Sequence, residues 1–272
     1  DLFTKVYKDN AIVGFSYYVA TLFRDLIVAN TRNYFPILNL SGVKGGGKTA
    51  MAQSLTKLFG DLPYGPNIPN YTIADMPDYV MQTRNAFFHI DEYKNAIEYS
   101  KLEFLKGLCD GTGRNRMNKD KDNKTWMTSV DAGVILTGQE MPKADIALFS
   151  RVISTVFSKS YFTEREKKLF NELKSVEKDG LTHITNEIVN HRNDFAVRFP
   201  MNLKDSWGDL ERWCPKKGIE NRIWVNWLII IGTLRTIKDF FELPFSYEKA
   251  VVKLADMMEA QNDEAQMISK EH

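Results

Sequence analysis

The residues with the clearest chemical potential form a glycine-rich segment, Gly42-Val43-Lys44-Gly45-Gly46-Gly47-Lys48-Thr49. Their spacing matches the phosphate-binding pattern G-x-x-x-x-G-K-[ST] at every fixed position. Glycines let the backbone curl so that successive N–H groups point at phosphate oxygens. Lys48 supplies a positive charge for the β- and γ-phosphates, and the Thr49 hydroxyl can bind magnesium. We therefore expect the segment from Gly42 to Ala50 to bind ATP with Mg²⁺.

A pair of carboxylates, Asp91-Glu92, follows the apolar segment Phe87-Phe88-His89-Ile90. In nucleotide hydrolysis one acid lies beside the magnesium and a second activates the attacking water as general base. Asp91 fits the first role and Glu92 the second, whereas His89 is expected to pack against the sheet. The alternative interpretation is two solvated acids at the end of a strand.

Polar side chains also follow a second apolar segment, which spans Gly133 to Leu136. A polar side chain at the tip of a strand beside the acidic one can bind the γ-phosphate or the attacking water. Thr137 is the first candidate for this catalytic role, and Gln139 is the second. The alternative is that Thr137 only caps the strand end.

A single arginine, Arg151, comes shortly after that strand. An arginine at this place can reach the nucleotide of a neighbouring subunit and stabilise charge in the transition state. Most arginines form surface ion pairs instead, and that remains the alternative.

A basic segment lies between the acidic pair and the Gly133 strand, and Trp126 lies just after its last lysine. Its cations are Arg114, Arg116, Lys119, Lys121 and Lys124. In a hairpin, with its turn near residues 119–123, such cations can hold DNA phosphates while an aromatic ring stacks on a base. The alternative is a solvated charged loop.

These residues need strands and helices that hold them in place. The patterns predict strands at Phe35 to Leu40, Ala86 to Ile90 and Gly133 to Thr137, and a hairpin at Arg114 to Val130. They predict helices at Ala11 to Ala29, Thr49 to Phe59, Ile73 to Thr83, Glu98 to Cys109, Glu164 to Lys178, Leu181 to Phe195, Ile219 to Phe241 and Tyr247 to Ser269. Strands alternate with helices up to about Lys159, and helices dominate afterwards. The fold class is therefore α/β, a parallel-sheet core flanked by helices with a helical region at the carboxyl end.

The composition limits the other possibilities. The chain has 272 residues, 43% of them hydrophobic and 26% charged, with a net charge of +1, so any DNA contact must come from a local basic patch. Two distant cysteines and four histidines show neither a disulfide framework nor zinc spacing, which indicates a reduced, cytoplasmic setting. The longest apolar run, Ile223 to Ile231, is shorter than the ~20 residues that a membrane span requires. The first residue is Asp1, which indicates a fragment of a longer polypeptide.

Taken in order, these motifs resemble the AAA+ domain of P-loop NTPases, over roughly Phe35 to Lys159. The glycine loop is similar to Walker A and Asp91-Glu92 to Walker B. The hairpin before the sensor strand resembles the clade of viral superfamily III and minichromosome-maintenance helicases. The stretches Asp110-Gly111-Thr112-Gly113-Arg114 and Ile135-Leu136-Thr137-Gly138-Gln139-Glu140 are similar to primase-helicases of phages and mobile elements, including Cch-type helicases. Leu148-Phe149-Ser150-Arg151 is similar to an arginine-finger segment.

The resemblance implies a homo-oligomeric ring, usually hexameric, with ATP sites between subunits and single-stranded or forked DNA in its channel. It also implies a second sensor arginine, for which Arg222 and Arg235 compete. We expect a helical segment at 1–34, an ATPase core at 35–160 with a basic hairpin at 113–130, and a helical lid at 161–272. The expected function is an ATP-dependent DNA helicase or translocase of a phage or mobile element. The alternatives are an ATP-switched loader or transposition regulator, and a duplex DNA packaging or partition motor.

Overall fold

Three helices come first along the chain, then strands alternate with helices up to the last strand, and only helices follow among the described residues. The structure is a computed structural model and describes residues 1–60, 67–70, 72, 76–117 and 125–271. Its strands are β1 (Ile37–Gly42), β2 (Arg84–Tyr93), β3 (Thr112–Met117), β4 (Thr125–Ser129), β5 (Asp131–Gly138) and β6 (Val152–Phe157). Its helices are α1 (Leu2–Tyr7), α2 (Asp9–Leu22), α3 (Arg24–Val28), α4 (Lys48–Lys57), α5 (Met76–Val80), α6 (Tyr99–Cys109), α7 (Ile146–Phe149), α8 (Glu164–Lys178), α9 (Thr182–Asn190), α10 (Arg192–Trp213), α11 (Asn221–Ile237) and α12 (Tyr247–Glu271). A short 3₁₀ helix spans Ile68–Asn70.

Four strands form a parallel sheet in the order β2-β5-β1-β6. Because all four run the same way, their carboxyl ends lie together at one edge, which we call the carboxyl edge, and their amino ends at the opposite amino edge. β1 is central, and β1 pairs with β6 from Ile37 opposite Val152 to Gly42 opposite Phe157. Ligands of open α/β sheets bind outside the carboxyl ends, where the strand order reverses. In this sheet the strand order reverses at the carboxyl end of β1.

The sheet separates two buried clusters of apolar side chains. Leu38 and Leu40 belong to the cluster that contains α2, whereas Ile37 belongs to the cluster that contains α6. Successive side chains of a strand point to opposite faces, so a strand buried on both faces is apolar throughout. Helices therefore cover both faces of the sheet, as the sequence predicts.

The outer edge of β6 is covered by the carboxyl-terminal helices. Gln261 of α12 is buried, and its amide donates to the Val152 carbonyl at 2.9 Å while its side-chain oxygen accepts from the Ser154 N–H at 3.2 Å. The Asn226 amide of α11 donates to the carbonyls of Ser150 and Val152 at 2.9 and 3.1 Å. Backbone groups of an edge strand require such partners when they are buried.

The observed elements agree with the predicted ones over most of the core, but several differ. The helix expected from Ala11 to Ala29 is divided at Phe23 into α2 and α3, and α1 and α7 were not predicted. β6 was not predicted, although Val152-Ile153-Ser154-Thr155-Val156-Phe157 is rich in β-branched residues. β2 continues through Asp91 and Glu92 to Tyr93 instead of ending before the acids. The single helix expected from Leu181 to Phe195 is two helices, and α10 continues through Pro200 because buried Phe199 and Leu210 anchor its second half.

The predicted hairpin is present as the antiparallel pair β3–β4, with Thr112 opposite Ser129 and Met117 opposite Thr125. The division into segments 1–34, 35–160 and 161–272 stays a prediction. One buried cluster contains residues from all three segments, among them Tyr17, Leu38 and Trp227. No helix among the described residues combines the length and the apolar character that crossing a lipid bilayer requires.

Tyr17 joins α2 to the sheet and offers a test of this packing. Its side chain is fully buried, and its hydroxyl lies 2.8 Å from the Pro36 carbonyl and accepts from the Val134 N–H at 3.0 Å. Tyr17→Phe removes the hydroxyl from these buried backbone groups, so we expect the free energy of unfolding in urea to fall by about 1–3 kcal/mol. Tyr161→Phe is the matched control, because Tyr161 is 87% exposed. Equal unfolding free energies for the two variants would contradict this role.

Candidate functional site

The glycine loop leaves the carboxyl end of β1 and enters α4. Gly42, Gly45 and Gly47 have φ values of 127°, 77° and 100°, a region that side chains other than glycine rarely adopt. At Gly42 the backbone of β6 also comes close, since a Cβ atom there would lie 2.2 Å from the Phe157 carbonyl oxygen. The loop conformation therefore depends on glycine at these positions. It places the amino terminus of α4, with its free N–H groups, at the carboxyl edge.

Lys48 lies on the loop itself. Its ammonium donates to the carbonyls of Gly42 and Val43 at 2.9 and 2.7 Å, and the residue is 8% exposed. Burial lowers the pKa of the ammonium, and the nearby charge of Asp91 opposes that shift. A cation that is poorly solvated is well placed to bind an anion.

The acidic pair lies on a bulge in β2. Ile90 pairs with Leu136 and Tyr93 with Gly138, so β2 has one more residue than β5 over this stretch. Such bulges redirect side chains and occur next to active sites. Glu92 is exposed and has a φ of 62°, which is left-handed and strained for a glutamate. The bulge turns the Glu92 side chain towards solvent at the carboxyl edge, while Asp91 stays partly buried.

Hydrogen bonds connect Asp91 to both neighbouring elements. The Thr49 hydroxyl donates to Asp91 Oδ2 at 3.4 Å, and the Thr137 hydroxyl donates to Asp91 Oδ1. The Glu92 N–H also donates to Asp91 Oδ1, at 2.8 Å. The structure thus brings together three predicted site residues, Thr49, Asp91 and Thr137, on three different elements.

A magnesium ion fits this donor set. Mg²⁺ prefers oxygen ligands and is usually held by one or two protein oxygens together with phosphates and water. The Thr49 hydroxyl and the Asp91 carboxylate supply two such oxygens side by side. Among the described residues there is no cluster of three or more His, Cys, Asp and Glu side chains that could hold a different kind of metal centre.

Thr137 and His89 form a buried support behind Asp91. Thr137 is fully buried, and its hydroxyl lies 2.8 Å from His89 Nε2. Since the single Thr137 proton goes to Asp91, His89 Nε2 is the donor in that contact. Burial lowers the pKa of His89, which favours the neutral ring. The sequence led us to expect only packing from His89; its position two residues before Asp91, on the same strand face, was the available signal.

A cavity of about 730 Å³ lies beside the loop, on the side of β6. Its walls are the loop, α1, the end of β6 and α8, and its apolar lining includes Val6, Phe157, Leu169 and Phe170. Asp91, Glu92 and Thr137 are not among its lining residues. The acids and the cavity therefore lie on opposite sides of β1.

The cavity is rich in cations. Five lysines line it against the two carboxylates of Asp9 and Glu166; they are Lys5, Lys8, Lys48, Lys159 and Lys167. Glu166 accepts hydrogen bonds from Lys159 at 2.7 Å, from Lys8 at 3.1 Å and from the Thr163 N–H at 2.9 Å. The bond from Lys159 is the largest cause of its strongly lowered pKa. One carboxylate of α8 thus joins the segments that follow α1 and β6 around the cavity, and the excess of lysines suits a polyanionic ligand.

The candidate arginines lie elsewhere. Arg151 immediately precedes β6, so it is at the amino edge, about 20 Å from the end of β1 at 3.3 Å per residue. Arg222 lies beside it, with Nη1 3.5 Å from the Ser150 hydroxyl. Arg235 is paired with Asp205 and Asp209. None of the three arginines lines the cavity beside this chain's own glycine loop.

The remaining predicted site residues are described only in part. Gln139 is exposed just after β5. Arg114 and Arg116 lie on β3, whose backbone alone is described. Lys119, Lys121 and Lys124 lie outside the described residues. Their contact with DNA stays a prediction.

Known proteins resemble this chain in structure but not in sequence. No protein-family model matches it, and no curated protein matches it. A solved structure described as "SCCmec type IV Cch - active helicase" aligns with a TM-score of 0.61 at 14% sequence identity. The alignment covers 97% of this chain and 51% of that one, so the chain spans about half the length of that helicase. At this identity the likeness shows a shared, helicase-like fold.

The strained backbone at Glu92 gives a stability prediction for the site. Glu92→Gly removes a left-handed penalty of roughly 1–2 kcal/mol and adds a smaller entropic cost, so we expect unfolding to require about 0.5–1 kcal/mol more free energy. Glu92→Gln keeps the backbone penalty and serves as the control with unchanged stability. Urea denaturation measures both. A Gly variant that is less stable than the Gln variant would refute the strain.

Proposed function

We propose that this chain is the ATPase module of a DNA helicase or translocase, as in phage and mobile-element replication proteins. The observation that carries the proposal is the meeting of the glycine loop with Asp91 through Thr49 at the carboxyl edge of a helicase-like fold. That arrangement suits an Mg²⁺-nucleotide whose γ-phosphate faces the acids.

The acids lie on one side of β1 and the cavity on the other, and this arrangement supports one orientation for ATP. The triphosphate lies on the loop, with Lys48 exchanging its carbonyl partners for phosphate oxygens. The γ-phosphate points towards Asp91 and Glu92, and the nucleoside occupies the cavity between α1 and α8. When bound, magnesium neutralises charge that develops on the phosphates.

Hydrolysis then requires a base and fixed polar groups. Glu92 is exposed at the carboxyl edge and accepts the proton of the attacking water. Thr137 and His89 hold the Asp91 carboxylate in one orientation, which keeps its oxygens aligned with the Thr49 hydroxyl. Such preorganised groups need no rearrangement during reaction.

Arg151 can complete a site only on a second copy of the chain. It lies at the amino edge, about 20 Å from the loop at 3.3 Å per residue, beyond the reach of its own side chain. Packing the amino edge of one copy against the carboxyl edge of the next is a heterologous contact, which closes into a ring or continues as a filament. A ring with DNA held by the β3–β4 segments is the assembly that we propose.

Mixing two inactive variants tests the shared site. Glu92→Gln and Arg151→Ala should each lower single-stranded DNA-stimulated ATP turnover by 10³-fold or more, roughly the range of an arginine finger. In an equimolar mixture some interfaces join an intact Glu92 to an intact Arg151, so we expect partial recovery of turnover. Arg198→Ala, at an exposed ion pair with Asp239, is the matched control and should behave as wild type.

Recovery in the mixture would support intersubunit sites. If Arg151→Ala keeps full ATP turnover and single-stranded DNA does not change that turnover, the ring proposal fails and only nucleotide hydrolysis remains. Unwinding of a forked duplex then separates a helicase from a loader that hydrolyses ATP without unwinding. A preference for duplex over single-stranded DNA would instead indicate a packaging or partition motor.

The proposed nucleoside position has its own test. Phe170→Ala removes an aromatic wall of the cavity, and the loss of base stacking should weaken ATP binding about tenfold, since stacking contributes about 1–3 kcal/mol. Inorganic tripolyphosphate has no base, so its affinity should stay unchanged in the same variant. Calorimetric titration measures both ligands. Equal losses for ATP and tripolyphosphate would show that the nucleoside lies outside the cavity.

A further inference from the structure

The Arg151 guanidinium is held by groups of its own chain. Its Nη1 donates to the Ala147 carbonyl at 2.8 Å, and its Nη2 lies 3.5 Å from the Asp110 carboxylate. The Arg151 side chain is 15% exposed and that of Asp110 is 46% exposed. The arginine is therefore engaged rather than extended, and one of its two partners is a carboxylate open to solvent.

Asp110 lies at the base of the β3–β4 hairpin. It ends α6, with its N–H donating to the Gly107 carbonyl at 3.1 Å. Gly111 follows with a φ of 67°, and its carbonyl accepts from the Val130 N–H at 3.3 Å, which closes the hairpin base. Asp110 is thus two residues from the first residue of β3.

The surrounding contacts fix this base close to Arg151. The Cys109 carbonyl accepts from the Phe35 N–H at 2.9 Å, which joins the end of α6 to the start of β1. A second arginine, Arg222, lies close by, and its Nη1 donates to the Ser150 hydroxyl at 3.5 Å. Asp110 therefore lies between Arg151 and the hairpin that carries the basic segment.

We propose that Asp110 is a positioning residue that holds Arg151 at the hairpin base until the nucleotide of a neighbouring copy competes for it. This inference rests on the proposed function, since it needs Arg151 to act across an interface. A phosphate carries more charge than a carboxylate and binds a guanidinium strongly. An ion pair that is partly exposed contributes little to stability, so it can exchange partners.

This exchange of partners by Arg151 couples the β3–β4 hairpin of one copy to the nucleotide site of the next. While Asp110 holds Arg151, the guanidinium is unavailable to the neighbouring site. The contacts at the hairpin base keep the Asp110 backbone in place, but its partly exposed side chain can turn when DNA shifts the hairpin, and it then releases the arginine. ATP turnover at one interface then responds to DNA bound on the hairpin, because one arginine has two mutually exclusive partners.

The test uses Asp110→Asn, which keeps the side-chain shape and removes the charge. We expect ATP turnover without DNA to rise about fivefold, the low end of typical coupling between sites, and stimulation by single-stranded DNA to shrink by the same factor. The change should appear in kcat, with KM for ATP unchanged. Asp110→Glu, which restores the charge, should keep the wild-type response. Asp239→Asn removes the carboxylate of another partly exposed arginine pair and is the matched control.

A double variant separates this inference from the proposed function. If Asp110 acts through Arg151, Asp110→Asn/Arg151→Ala should have the turnover of Arg151→Ala alone. An Arg151→Ala variant that retains DNA-stimulated turnover would sink the proposed intersubunit site itself. If Arg151→Ala is inactive but Asp110→Asn has the same ATP turnover and the same stimulation by DNA as Asp239→Asn, only the role of Asp110 is overturned. A melting temperature several degrees below that of Asp239→Asn would also overturn it, by assigning Asp110 to stability.

Discussion

The parallel pairing of β1 with its two neighbours is the constraint on which the rest of the structure depends. Pairing with β5 brings Thr137 level with Leu40, and pairing with β6 brings Phe157 level with Gly42. All carboxyl ends therefore meet at one edge, where the glycine loop begins. The same pairing places Arg151 at the other edge, so the groups that we propose to act in one reaction are divided between the two ends of a single sheet.

Three side chains beside the site are hydrogen-bonded in a way that fixes their orientation. His89, Thr137 and Asp91 form a chain of hydrogen bonds that ends at the Thr49 hydroxyl. In the interior such chains are strong when complete and costly when broken. Backbone groups at the edge of β6 are also held by a buried polar side chain, since Gln261 binds groups that would otherwise lack partners. Both arrangements hold strand ends in place, one at the candidate site and one where α12 packs on the sheet.

Local signals in the sequence predicted the parts of the fold that local interactions decide. The bounds of α8 agree with the prediction, because Thr163 and Glu166 form a capping box within one helical turn. The glycine loop is equally local. β6 does have a local signal in its β-branched residues, but its place in the sheet depends on partners more than a hundred residues away, such as Gln261, which no local pattern shows. The bulge at Asp91-Glu92 likewise arises from a register shift against β5, so its strained backbone could not be seen from the two acids alone.

That strained backbone has a consequence for how the sequence can change over generations. The left-handed conformation at Glu92 is easier for glycine or aspartate than for glutamate. A single base substitution converts a glutamate codon into either of them, so the genetic route away from this acid is short and favoured by the fold. Selection for the general-base role that we propose for Glu92 would oppose that change. Among descendants of this chain, the residue at this position would therefore record whether turnover is still under selection, and it would change before the glycines that the loop requires.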